Sequence, residues 1–94
     1  MTKIIEFRHR GEKIRSIVIF NFEQSKCSVM VMPYAYKEEL GNTIVITRYN
    51  RDWVSESSIV SAYRLTYLNI LNELDLLMIQ DDGFKKNLPG RVYN

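Results

Sequence analysis

The stretch from Ser55 to Gly83 constrains the fold most, because its apolar residues recur with the period of an α-helix. The serines at its start can accept the amide hydrogens of a first turn, and Asp81-Asp82-Gly83 supplies a stop with a glycine cap. At about 100° per residue, the apolar residues fall within one sector of roughly 120°. They are Ile59, Val60, Tyr63, Tyr67, Ile70, Leu71, Leu74, Leu77 and Met78. The pattern predicts one long amphipathic helix that packs this stripe on a sheet.

Four segments ahead of the helix have the composition of β-strands and are joined by short polar connections. They are Lys3–His9, Ile14–Phe22, Cys27–Tyr34 and Thr43–Asn50. Gly11 can take the positive φ that a tight hairpin needs, and no connection has the dozen or more residues of a parallel crossover. We therefore expect an α+β fold, in which a four-stranded antiparallel sheet is followed by one long C-terminal helix packed on one sheet face, in the order β-β-β-β-α.

The chain has 94 residues, enough for one hydrophobic core. We expect a single domain over residues 1–94, with residues 84–94 as an extended or loosely docked basic tail. The longest strictly apolar runs are four residues, against roughly 18 for a membrane span, and Glu6 lies where a signal peptide would be apolar. These features predict a cytoplasmic protein that does not enter a membrane.

Groups for catalysis or metal binding are scarce. His9 is the only histidine and Cys27 the only cysteine, so neither an intrachain disulfide nor a thiolate zinc set can form. The two could meet across neighbouring strands, but a strand cysteine is more often a small buried hydrophobe. We interpret Arg8–Lys13, which includes His9, as a solvated basic hairpin tip. The sequence therefore predicts a protein that is not an enzyme, with no catalytic residues, no cofactor and no metal.

Apolar residues exceed what one helix on one sheet face can cover. The second to fourth strands are apolar on both faces, whereas a sheet with one wet face alternates apolar and polar residues. The helix also carries a second apolar patch away from its core stripe. The candidate partner or dimer surface consists of Ile17, Ile19, Met30 and Met32 on the sheet, and Leu65, Leu68, Asn72, Leu76 and Ile79 on the helix. An alternative is that the tail folds back over the helix patch.

Two functions follow from these patterns. The first is a small non-catalytic binding protein that acts through protein contacts as a homodimer, or with another protein, as an inhibitor or regulator of the kind that phages and mobile elements use as accessories. The alternative is a single-stranded nucleic-acid-binding protein, because cations bind phosphates and aromatic rings stack on bases. Its candidate residues are Arg8, Arg10, Lys13, Arg15, Arg48, Tyr49, Arg51 and Trp53. The weak net charge of +2 gives this alternative little electrostatic support.

Overall fold

The computed structural model describes residues 1–80, which form one antiparallel sheet and three helices. The strands are β1 (Thr2–His9), β2 (Glu12–Phe22), β3 (Cys27–Pro33), β4 (Ile44–Tyr49) and β5 (Asp52–Val54). The helices are α1 (Lys37–Leu40), α2 (Ile59–Ala62) and α3 (Arg64–Gln80). The strands lie side by side in chain order, and each neighbouring pair is antiparallel. This confirms the predicted α+β class; the predicted helix stop and tail lie outside the described residues.

The sheet has one strand more than predicted. After β4, Asn50 takes a φ of 56°, and the chain reverses to pair Asp52 with Tyr49 and Val54 with Thr47. The sequence indicated a loop here because three residues are too few to show the alternation that identifies a strand. The five-stranded sheet therefore corrects the predicted four-stranded one.

The predicted single helix is divided in two at Tyr63, whose backbone has φ −134° and ψ 59°. Hydrogen bonds of helical spacing continue across the division, from the Tyr63 amide to Ile59 and from the Tyr67 amide to Tyr63. The apolar period therefore continues as well, which is why it indicated one helix. Before α2, the hydroxyl oxygens of Ser55 and Ser57 accept the amide hydrogens of Ser57 and Ile59.

Helix α3 covers one face of the sheet, which we call the inner face. Within α3, the predicted stripe is buried at Tyr67, Ile70, Leu74 and Met78. Buried side chains of the strands face it: Ile5, Phe7, Ile14, Val18, Phe20, Cys27, Val29, Val31, Ile44 and Ile46. Each fully buried aliphatic side chain contributes roughly 1.5–3 kcal/mol relative to an exposed one. This core holds α3 against the inner face. The other side of the sheet, which we call the outer face, is not covered by α3.

Candidate functional site

The outer face carries apolar side chains from four adjacent strands. The strand register places Ile4 beside Ile17 and Ile17 beside Met32, and it places Ile19 beside Met30 and Met30 beside Val45. We call these six residues the apolar band. Ile4, Met30 and Val45 are 58, 38 and 50% exposed, and the other three are half-buried. The sequence identified four of the six; Ile4 and Val45 join them because the register brings them alongside.

The two ends of the outer face differ in charge. At the β1–β2 hairpin, Arg8 pairs with Lys13 and Glu6 pairs with Arg15, so cations outnumber the single carboxylate. At the other end, Asn21 pairs with Ser28. The outer face is therefore apolar in the middle, basic at the hairpin end and polar at the opposite end.

A depression of 390 Å³ lies beside the band, along β4 and β5. Val45, Tyr49 and Val54 supply its apolar walls, and Thr47 and Ser55 line it with hydroxyl groups. The Ser55 hydroxyl donates a hydrogen bond to the Val45 carbonyl oxygen at 2.6 Å. Val45 lies beyond the end of β5, which pairs with Thr47 to Tyr49 of β4, so the hydroxyl serves a carbonyl that β5 does not reach. The band thus continues into a shallow concave region.

The second apolar surface lies on the side of α3 that faces away from the sheet. We call Leu65, Leu68, Asn72, Leu76 and Ile79 the helix seam. The four apolar members are 73, 45, 39 and 64% exposed in that order. The residues predicted as one partner surface therefore belong to two surfaces, one on the sheet and one on α3, which approach each other at the edge strand β1, where Ile4 and Leu76 line the same depression.

The residues of the nucleic-acid hypothesis do not form one surface. Arg48 and Trp53 lie on the inner face, with the guanidinium carbon 5.5 Å from the indole centroid. An Arg48 guanidinium nitrogen donates to the sulfur of Met78 at 2.9 Å, and the Trp53 indole N–H donates to Asp75 at 2.9 Å. Arg10 is paired with Glu39 at 2.7 Å. Trp53 is therefore held against α3 by contacts within the chain.

The remaining candidate residues are divided between two ends of the sheet. Arg8 and Lys13 lie at the β1–β2 hairpin, whereas Tyr49 and Arg51 lie at the β4–β5 hairpin, which the register places at the opposite end of β2. At about 3.3 Å per residue, the strand between these ends is roughly 30 Å long. A nucleic acid would have to cross the apolar band to touch both groups.

His9 is buried rather than solvated, which makes the predicted hairpin tip wrong at this residue. Its side chain is 1% exposed; Nε2 lies 2.6 Å from a Glu39 carboxylate oxygen and Nδ1 lies 2.7 Å from the Thr66 hydroxyl. A carboxylate can only accept, so Nε2 carries a hydrogen and donates to Glu39. The rings of Tyr36 and Tyr63 pack edge-on against the imidazole, with centroids 5.0 and 5.2 Å away. The cluster ties β1 to α1 and α3.

Sequence patterns could not show this cluster because its partners are distant in the chain. Glu39 is 30 residues and Thr66 is 57 residues from His9. The contact network continues to the surface, where the Tyr36 hydroxyl donates to Glu12 at 2.7 Å. That hydrogen bond raises the pKa of the Tyr36 hydroxyl above its usual value. A carboxylate at one ring nitrogen and a hydroxyl at the other orient the imidazole, but its burial closes it to a substrate.

Cys27 does not meet His9. It pairs with Phe22 at one end of β2, whereas His9 pairs with Glu12 at the other end. The thiol is fully buried, as expected for a small hydrophobe, and this desolvation raises its pKa from 9.0 to about 11. Suppression of the thiolate leaves little of the form that acts as a nucleophile or metal ligand.

Residues 1–80 contain neither a cluster of metal-ligating side chains nor a membrane-spanning helix. The described part of the chain has no group of three or more histidine, cysteine or carboxylate residues placed to hold a metal ion. Among the same residues, no helix combines the length and apolar character needed to cross a membrane.

Comparison with known proteins identifies no relative: no protein-family model, no curated protein and no solved structure matches the chain.

Proposed function

We propose that this protein is a small binding protein whose apolar band docks on another protein, and that it acts as an inhibitor or regulator by occupying that partner's surface. The exposure of the contiguous band carries the proposal. A single exposed isoleucine is ordinary, but contiguous apolar patches on a soluble domain mark interaction sites.

The energetics of the band favour a protein partner. Ile4 and Val45 are each at least half exposed, and burial of apolar surface contributes about 25 cal/mol per Å². Met30 lies between Ile19 and Val45 at the centre of the band. Methionine has an unbranched, adaptable side chain that fits irregular apolar surfaces. The centre of the band thus has the apolar, charge-poor composition of an interface core.

The shape and charge of the outer face favour an amphipathic helix as the docked element. An open sheet accepts a helix on each face, and α3 already occupies the inner face of this one. Arg8, Lys13 and Arg15 lie at one end of the outer face, so acidic residues at the matching end of the partner helix would be attracted there. We therefore expect a partner helix with an apolar face and an acidic end.

The experiment compares the wild-type chain with M30E, which places a charge in the centre of the band. Partners are captured from the native cell, the captured protein is purified, and its binding is measured by isothermal titration calorimetry. We expect M30E to weaken this binding by at least about tenfold, or 1.4 kcal/mol. R15E should weaken this binding by a smaller factor than M30E does. The effect of R15E should be larger at low salt than at high salt, because salt screens the attraction of a charge at the rim.

L68E is the matched control, because it introduces the same charge at an exposed apolar residue of the helix seam. It should bind the purified partner as the wild type does. Equal binding by the wild type and M30E would contradict the proposal.

The nucleic-acid alternative has less support, because its candidate cations lie at opposite ends of the sheet and Trp53 is held against α3. Titration of fluorescent single-stranded DNA and RNA at two salt concentrations tests it. Micromolar binding with a steep salt dependence, weakened by R15E, would favour this alternative over protein binding.

A further inference from the structure

The helix seam has an internal symmetry. Leu68 and Leu76 are each four residues from Asn72, and Leu65 and Ile79 are each seven residues from it. At about 100° per residue, the members of each pair lie at equal and opposite angles around the helix from Asn72. A two-fold rotation about an axis that passes through Asn72 and is perpendicular to the helix therefore places each seam residue on its counterpart.

We propose that the helix seam binds a second copy of this chain, with the two α3 helices antiparallel and a two-fold axis beside Asn72. In this arrangement Leu65 lies level with Ile79 of the second copy, and Leu68 lies level with its Leu76. A closed two-fold contact requires one self-complementary patch, and the seam is such a patch. The proposal is independent of the proposed function, because the seam is centred on Asn72 of α3 and the apolar band is centred on Met30 of β3, although Leu76 and Ile4 at their margins line one depression.

Charges beside the seam favour the antiparallel orientation over the parallel one. Arg64 and Asp75 lie on one flank of the seam, and Asn69 and Glu73 lie on the other. An antiparallel two-fold pair brings like flanks together, so Arg64 lies within about five residues' rise, roughly 7.5 Å, of Asp75 of the second copy. A parallel pair brings opposite flanks together and places Asp75 near Glu73. The antiparallel arrangement pairs Arg64 with Asp75 twice and brings Glu73 near Glu73 of the second copy once, whereas the parallel arrangement places Asp75 near Glu73 twice and pairs no opposite charges.

Asn72 fits the two-fold axis chemically. Its side chain has both a donor and an acceptor, so two copies can each donate one amide hydrogen to the other's carbonyl. A single polar residue in an apolar helical seam costs stability but fixes the register. The exposed Asn72 among apolar neighbours thus identifies the level at which the two helices cross.

The length of the helix limits the strength of the contact. Helix α3 has 17 residues, and the seam from Leu65 to Ile79 is about 21 Å long. A single helix pair of this length is small beside the roughly 1,200–2,000 Å² that stable complexes bury. We therefore expect a dimer that dissociates on dilution.

Sedimentation of the full-length chain over a range of concentrations tests the contact. The expected mass rises with concentration from 11.1 kDa towards twice that value. L68E should raise the dimer dissociation constant by at least about tenfold, because it places a charge in the seam. M30E is the control and should dimerise as the wild type does. A mass that stays at one chain at all concentrations, or a dimer that L68E leaves intact, would overturn the proposal.

Cysteine cross-linking tests the orientation. Positions 65 and 79 are roughly 21 Å apart along one helix, too far for a disulfide within one copy. Under mild oxidation, an equimolar mixture of the L65C and I79C variants should form covalent dimers faster than L65C alone, because only the antiparallel pair brings position 65 level with position 79 of the second copy. The wild-type chain measures the background of cross-linking through the buried Cys27. Faster cross-linking by L65C alone would indicate a parallel pair and overturn the antiparallel assignment.

Discussion

At the residue scale, His9 has the largest difference between its expected and its observed environment. It is the only histidine, it follows an arginine and precedes another, and yet it is almost fully buried. The two ring nitrogens reach Glu39 and Thr66, so neither is left without a partner in the interior. A buried polar group that lacks a partner is costly, which makes this residue sensitive to substitution.

We expect H9A to destabilise the fold by about 3 kcal/mol, because it removes two hydrogen bonds and leaves the buried Thr66 hydroxyl without its partner. T66V removes one of the bonds with little change of shape and should cost about 1 kcal/mol. Urea unfolding followed by circular dichroism measures both.

R10Q is the control for these substitutions, because it removes the other partner of Glu39. The Arg10 side chain is 60% exposed, and exposed ion pairs contribute at most about 1 kcal/mol. If H9A and R10Q cost the same small amount, the His9 cluster does not stabilise the fold as we describe.

A second prediction at this scale concerns pH and Cys27. Burial raises the pKa of the thiol from 9.0 to about 11, so the folded protein keeps this proton to higher pH than the unfolded chain does. The stability that the neutral thiol contributes is therefore fully present below pH 9.0 and is lost as the pH rises through about 11.

The difference in unfolding free energy between the wild type and C27A should shrink over that range. The pKa values of Tyr36 and Tyr67 are also raised, but both residues are present in both proteins and cancel in the comparison. A difference that is constant with pH would contradict the buried, protonated state of Cys27.

At the element scale, Trp53 of the short strand β5 connects the sheet to the C-terminal half of α3. Its indole N–H donates to Asp75, and its ring lies against the Arg48 guanidinium. We expect W53F to cost about 1–2 kcal/mol, because it removes the hydrogen bond and weakens the cation–π contact. Amide hydrogen exchange in the last two turns of α3 should become faster.

Y49F is the matched control for W53F. Tyr49 lies on the same hairpin but is 45% exposed on the outer face, so the loss of its hydroxyl should change stability little. Unchanged hydrogen exchange in W53F would show that β5 does not hold α3 in place.

The sequence could predict those elements whose pattern is local. Alternation and β-branched residues identified β1 to β4, and the apolar period identified the buried face of α3 with Tyr67, Ile70, Leu74 and Met78. It could not predict β5, because three residues carry no period, or the break at Tyr63, because the period continues through it. The burial of His9 depends on Glu39 and Thr66, which are distant in the chain. The pairing of Ile4 with Ile17 depends on the strand register, which only the folded sheet defines.

At the whole-molecule scale, the sheet has one covered and one exposed face, and α3 has one buried and one exposed apolar side. The layers therefore follow in the order apolar band, sheet, core, helix and helix seam. If the seam joins two copies, the sheet and α3 lie between the contact and the centre of each apolar band on β2 to β4, so the two bands face in opposite directions. The dimer then presents two identical docking surfaces that do not obstruct each other.

This arrangement predicts a difference between binding in solution and binding to a crowded surface. The wild type and L68E should bind a single purified partner molecule equally in solution. On a surface densely coated with that partner, L68E should dissociate faster, because it binds through one docking surface. Equal dissociation from the coated surface would show that the two bands do not act together.

In a dimer joined through the seam, the outward direction of the two bands would have a consequence for the cell. A bivalent molecule gains avidity only where its targets lie close together, since the second binding event then occurs at a high effective concentration. A scattered partner would meet one weak contact at a time, whereas a clustered or oligomeric partner would be held by both. The exposed seam of α3 would thus let a chain of 94 residues distinguish an assembled target from its separate subunits.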